Sequence, residues 1–234
     1  MQATQSWIDT GEPQGIDEPS RRPTRAVRSI PAAIHLLYTL EPIVAAVSLI
    51  CLAPFLGILA ITIGILSRTS PLVAHRRVGR HGKTLWVYKL RTMWPSESRS
   101  SSRGYWIERV PDEKPELKNG PDPRVNSRFA AFLRRHSIDE LPQLALVLAG
   151  RMSLVGPRPI TRFELDEYYR HDSTEVLSLK PGLTGLWQVR GRSRLNYRQR
   201  KRFDLFLVRR LSAGLYFKIV LLTVPDVLLA RDAW

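Results

Sequence analysis

The sequence predicts an α+β fold, mainly helical, organised around one membrane-embedded helix. Three observations carry this. Residues Ile43 to Leu66 run for 24 positions without a charged side chain, long enough for a hydrocarbon core of about 30 Å. Residues 71–93 place strand formers around His81-Gly82-Lys83, the pattern of a small β-hairpin. The remainder alternates helical apolar faces with loops rich in Gly and Pro.

Residues 1–30 are polar and rich in Pro, Gly and charge, and they read as disordered. Residues 31–67 form the membrane element. The uncharged run starts too late and is too long for a signal peptide, and it lacks a small-residue cleavage site. Arg21, Arg22, Arg25 and Arg28 precede it, and Arg68, Arg76, Arg77, Arg80 and Lys83 follow it. Cytoplasmic flanks carry the excess of Lys and Arg, so both ends qualify as cytoplasmic. Pro54 lies at the middle, where it removes a helix hydrogen bond. A re-entrant helix that bends at Pro54 and returns to the same face satisfies both observations. An ordinary span with a tolerated proline is the simpler alternative.

Residues 68–234 then form the cytoplasmic domain. The hairpin of 71–93 is followed by a long loop over 94–124, with at most a short helix. Helices are expected at 126–135 and 138–149. The second has an apolar face of Leu141, Leu144, Ala145, Val147 and Leu148, and Gly150 ends it. A Gly/Pro-rich loop follows Lys180. Helical stretches at 196–210 and 213–231 close the chain. The last is apolar but interrupted by Lys218, Pro225 and Asp226, which suits an amphipathic helix lying in the membrane interface.

The net charge is +15, from 36 Lys and Arg against 21 Asp and Glu. Such a surplus points to phosphate-bearing partners: anionic membrane lipid, nucleotide or nucleic acid. Cys51 is the only cysteine, so no intrachain disulfide can form. No Cys/His cluster exists to hold zinc. Any metal is therefore held by oxygens, which favours Mg²⁺ or Mn²⁺.

Asp139 and Glu140 stand out against that basic background. One reading is local: Ser137-Ile138-Asp139-Glu140 fits a capping box, and acids in a first turn complement the helix dipole. The other reading is chemical. Acids among fixed cations suit work on a phosphate, with one carboxylate attacking or holding a metal. Lys89 and Arg91 occupy alternate strand positions and face one side, where they could hold a diphosphate or line a solvated face. Arg158 is braced between Pro157 and Pro159, which presents its guanidinium at low entropic cost. Pro181-Gly182-Leu183-Thr184-Gly185 offers backbone N–H groups to an anion. Gln188, Arg190 and Arg192 follow with donors for phosphate or sugar hydroxyls.

Taken together, these segments resemble the bacterial sugar transferases, the small monotopic polyprenyl-phosphate phosphoglycosyl transferases. The stretches that carry the resemblance are the Pro-broken membrane helix, RRVGRHGKTLWVYKLRTM, DPRVNSRFAAFLRRHSIDELPQL, MSLVGPRP and KPGLTGLWQVRGRS, within about residues 38–224. The resemblance implies transfer of a sugar phosphate from a nucleotide (UDP) sugar to undecaprenyl phosphate at the cytoplasmic face of the bacterial inner membrane, which initiates exopolysaccharide, O-antigen or another glycan. It implies Asp139 as a nucleophile that carries the phosphosugar, and Glu140 as its acidic partner on Mg²⁺. It implies Arg134 against the lipid phosphate, and Arg158 and Arg192 against phosphate groups. The chain departs from the family pattern at Ala53, where Ser usually precedes the membrane proline, and at Glu41, Leu207 and Tyr216. A homo-oligomer is compatible with the sequence. The rival from another class is a membrane-tethered basic protein that binds anionic lipid or nucleic acid without catalysis.

Overall fold

Helix α1 runs from Ala32 to Ser67 and continues through both Pro42 and Pro54. It stops where Arg68 takes a left-handed conformation and its N–H reaches the Gly64 carbonyl. A computed structural model describes this helix within residues 30–93, 106–110, 127–191 and 194–228. The helix is long and apolar enough to cross a membrane, and only 11% of its most apolar window is buried. Leu36, Ile43, Ile50, Ile58 and Ile65 line its open side at near two-turn spacing. The opposite stripe rests on the domain along almost the whole helix. Ile34 and Tyr38 join a cluster with Leu207, Tyr216 and Ile219. Ala45 packs with Leu144 and Val147. Leu59 and Ile63 meet Leu90 and Leu133.

The expected hairpin is present. β1 (Leu72–Val78) and β2 (Thr84–Leu90) pair antiparallel, with Leu72 opposite Leu90 and Val78 opposite Thr84. The turn is a short 3-10 segment, Arg80–Gly82, in which His81 and Gly82 have positive φ. The 94–124 segment was expected to be a loop, yet β3 (Ile107–Val110) lies within it and pairs parallel to β1. The rest of that expectation, and disorder over 1–29, lie outside the described residues. A strand of four residues, alternating exposed and half-buried, carries too little apolar pattern to be read locally.

α2 (Arg128–Arg135) matches its prediction. The next predicted helix divides into a 3-10 segment, Ile138–Gln143, and α3 (Leu144–Leu148). Gly150, at φ 66, ends it. The change of pitch shifts the buried face to Leu144, Leu146 and Val147, and leaves Ala145 and Leu148 exposed. β4 (Ser153–Val155) then pairs parallel with β5 (Gly182–Thr184). Between these strands α4 (Arg162–Glu164) runs into a π-helical turn, Leu165–Tyr169, followed by α5 (Ser173–Val176). α6 (Tyr197–Arg210) and α7 (Ala213–Leu228) complete the described chain close to their predicted limits.

The β4–β5 pair corrects the reading of 181–185 as an anion loop. The Gly182 N–H donates to the Pro157 carbonyl at 2.8 Å, and the Gly156 N–H donates to the Thr184 carbonyl at 3.0 Å. A Cβ on Gly156 would overlap the Lys180 carbonyl oxygen and the Gly182 nitrogen. These glycines let two backbones touch; the N–H groups of Gly156 and Gly182 donate to carbonyls of the facing segment rather than to a ligand.

Candidate active site

Ser137 decides how the two acids are presented. It adopts φ 54, so the chain leaves α2 through a left-handed residue. A capping serine needs an extended backbone, and no side-chain cap forms here. The capping-box reading of 137–140 is therefore overturned. Such boxes occur instead at Thr161–Glu164 and Asn196–Gln199. Pro142, which has no N–H, sits in the following 3-10 turn.

Released from capping, Glu140 faces cations. Its Oε1 accepts from Lys89 Nζ at 2.7 Å and from Arg158 Nη2 at 3.0 Å. Three separate elements thus meet at one carboxylate: β2, the 3-10 segment and the loop after β4. Burial opposes the charge of Glu140, but Arg158 and Lys89 outweigh it by charge and hydrogen bond, and they hold its carboxyl well below the usual range. Asp139 is buried and moves the other way. Burial raises its pKa to about 6, with the Glu140 charge adding to the rise, while Lys89, Arg134 and Arg158 hold it down. Neighbouring carboxylates with opposite shifts are suited to different roles in one reaction.

Of the predicted residues, the structure brings Asp139, Glu140, Lys89, Arg134 and Arg158 together. Arg91 goes elsewhere. It donates to the Ser70 carbonyl at 2.7 Å and pairs with Glu108 of β3, so it ties the sheet. Gln188 donates to the Leu183 carbonyl at 3.2 Å, and its Oε1 is buried without a partner. Arg192 lies outside the described residues. Pro54 is exposed on α1, with the apolar open face. Among the described residues no cluster of three or more His, Cys, Asp or Glu exists. Among the described residues, a metal at the dyad would therefore take two protein carboxylates at most.

Sequence reasoning missed what stands behind Arg158. Its guanidinium lies 5.7 Å from the centre of the Trp187 ring, and Arg200 covers the same ring at 4.8 Å. Arg200 also lies 5.2 Å from Tyr197, which stacks on Tyr168 at 4.3 Å. Asp204, 1% exposed, accepts from Tyr169 Oη at 2.7 Å. Burial raises its pKa to about 7, against the Tyr169 bond and the field of Arg158. The i, i+4 spacing of Arg200 and Asp204 was the only local signal, and it reads as an ordinary surface pair.

Residues 35–230 match the family model described as bacterial sugar transferase. The chain is 39% identical over 201 residues to the UDP-galactose-lipid carrier transferase of Erwinia amylovora, covering 81% of this chain and 40% of that protein. It is 36% identical over 202 residues to the exopolysaccharide production protein ExoY of Rhizobium meliloti, covering 83% of this chain and 86% of that one. It is 45% identical over 142 residues to the undecaprenyl-phosphate galactose phosphotransferase of Salmonella typhimurium, covering 59% and 29%. The chain thus spans about two fifths or less of the first and third relatives and most of the second. The chain belongs to the bacterial sugar transferase family.

Proposed function

We propose that this bacterial sugar transferase moves a sugar 1-phosphate from a nucleotide sugar to a polyprenyl phosphate through a covalent intermediate on Asp139. The observation that carries the reading is the dyad: Asp139 buried, Glu140 half-buried and bonded to Lys89 and Arg158, the two shifted in opposite directions, with Arg134 also acting on Asp139. In the first half, an Asp139 carboxylate oxygen attacks the β-phosphorus. The bond from that phosphorus to the oxygen bridging the α-phosphate breaks, and nucleoside monophosphate leaves with the electron pair. The phosphosugar then sits on Asp139 as an acyl phosphate. In the second half, an oxygen of the lipid phosphate attacks the same phosphorus, and the Asp139–phosphorus bond breaks. The products are a polyprenyl diphosphate sugar and free Asp139.

Each residue contributes by position and charge. Lys89 and Arg158 hold Glu140 ionised before substrate arrives, and they supply donors for the diphosphate afterwards. Arg134 also lowers the pKa of Asp139, and its charge suits the acceptor phosphate. Two adjacent carboxylates, hard oxygen donors with neither Cys nor His grouped near them, fit Mg²⁺ or Mn²⁺. Asp139 and Glu140 would hold such an ion, which supplies charge neutralisation on the diphosphate. The reading as a basic binding protein leaves the dyad without a purpose.

The fold also supports a monotopic seat on the cytoplasmic face. Contacts with the domain run from Ile34 to Ile63, roughly 40 Å at ~1.5 Å per residue. A helix flanked by its own polar domain over that length is poorly suited to crossing a core of about 30 Å. Basic residues flank both ends, as anionic headgroups favour.

The test uses detergent-solubilised protein with Mg²⁺, undecaprenyl phosphate and a panel of UDP-sugars. UMP release is expected for at least one sugar. With that donor and no acceptor, intact-protein mass spectrometry should show a gain of one sugar phosphate. A folded Asp139→Asn variant that still releases UMP at the normal rate would refute the mechanism.

A further inference from the structure

Glu41 lies within the apolar helix α1, yet it is only 3% exposed because the protein, not solvent, surrounds it. Its Oε1 accepts from Ser153 Oγ at 2.5 Å, from the Leu154 N–H at 3.0 Å and from Tyr216 Oη at 2.7 Å. Its other oxygen is buried without a hydrogen-bond partner. No lysine or arginine among the described residues pairs with it. One atom therefore joins α1, β4 and α7 through neutral donors. Burying a carboxylate this way is costly, and a leucine would fit the surrounding apolar cluster at less expense. A pure packing role does not account for it.

What Glu41 grips is informative. Ser153 and Leu154 belong to β4, which ends at Val155, and the chain continues directly through Gly156 and Pro157 to Arg158. Gly156 is held against Lys180 and Gly182, so the loop follows β4 as one body. Arg158 then reaches Glu140 at 3.0 Å. A shift of β4 along α1 is thus passed to the guanidinium.

We propose that Glu41 is a positioning residue that ties the seating of the membrane helix to the placement of Arg158. The acceptor oxygen of Glu41 fixes the register between α1 and β4, and α7 closes the same contact through Tyr216. A helix displaced from its seat releases β4, and Arg158 loses its alignment on the dyad and the diphosphate. This inference rests on the reading of Arg158 as a phosphate-binding group.

A double-mutant cycle on the full chain in lipid nanodiscs tests it, with kcat/KM for UMP release as the measurement. Glu41→Leu is expected to lower kcat/KM about tenfold in the otherwise unchanged protein and less than about twofold in an Arg158→Ala background. Glu41→Gln keeps an acceptor oxygen in place and is expected to stay within about twofold of the parent. A residue that only stabilises the fold would act by the same factor in both backgrounds, and that result overturns the proposal. So does a Glu41→Gln variant as slow as Glu41→Leu. If Glu41→Leu does not reach the membrane fraction, Ser153→Ala replaces it in the cycle with the same criterion. A normal rate for Arg158→Ala alone would instead overturn the role given to Arg158 under the proposed function.

Discussion

Two kinds of buried acid flank the loop that carries Arg158. On one side, Asp139 and Glu140 face Lys89, Arg134 and Arg158. On the other, Asp204 accepts from the Tyr169 hydroxyl, and Glu41 accepts from two hydroxyls and a backbone N–H. Asp139, Asp204 and Glu41 are buried and Glu140 is half-buried, so burial alone does not separate chemistry from architecture. The partners do. Cations can trade a carboxylate for a phosphate, which is what the proposed substrate site at the first pair requires. The hydrogen bonds of Glu41 and Asp204 come from neutral donors, which have nothing to gain from an incoming phosphate, so these two acids hold the framework around Arg158 instead. The pKa directions are less discriminating, since burial raises both Asp139 and Asp204.

The comparison breaks most sharply at the aspartates. Asp139→Asn should lower turnover by on the order of 10³-fold or more while the protein still unfolds at its usual temperature. Asp204→Asn, which keeps an acceptor for Tyr169, should leave turnover within about threefold. Parallel UMP-release assays and thermal melts check both, and equal losses of turnover would erase the distinction. Arg158→Ala comes next. Losing charge-assisted contacts should cost about 1.5–3 kcal/mol, or roughly 10- to 150-fold in rate, with membrane association unchanged in a flotation assay.

The pH dependence sharpens the same contrast. In the proposed mechanism Asp139 attacks only when ionised, and its pKa is raised to about 6. Turnover should therefore climb as pH rises through about 6 and fall below it. Lys89 favours the ionised form, so Lys89→Met should move that limb to higher pH, as read from kcat/KM profiles. Asp204 should act on stability instead. Its folded pKa of about 7 lies above the unfolded value. The folded state thus keeps a proton that the unfolded chain releases above about pH 4. Stability from this group is full at low pH and is lost as pH rises toward 7. Asp204→Asn removes that slope, so melting temperatures at pH 5 and pH 8 should lie closer together than in the parent.

Topology offers the last and smallest effect. Single cysteines near residues 20 and 120, in a Cys51→Ser background, should both resist labelling from outside intact cells. Under the re-entrant reading, Pro54→Leu should shift some molecules toward a full span. Labelling of one site but not the other in the parent would sink the re-entrant reading.

The elements with strong local grammar were readable along the chain. The uncharged run of 43–66 gave α1, the strand formers Thr84 to Tyr88 gave β2, and the Gly150 stop ended α3. Weak or misleading grammar failed in specific ways. Ser137 and Glu140 have the right types and spacing for a capping box, but the positive φ at Ser137 removes the geometry. Lys89 and Arg91 share a strand face in sequence, yet β3 supplies Glu108 and takes Arg91 away. The glycines of 182–185 suggested an anion loop because free backbone and paired backbone look alike until the partner strand is known.

By itself the sequence determined the apolar helix, the hairpin, the acid pair and the Pro-braced arginine, since each depends on residues close together in the chain. Only the tertiary structure decided which cations reach the acids. Lys89 and Glu140 are 51 residues apart, and Glu41 and Leu154 are 113 apart. No local periodicity encodes such distances. They follow from how α1, β2 and β4 pack, where a buried carboxylate must find donors in whatever the fold brings beside it.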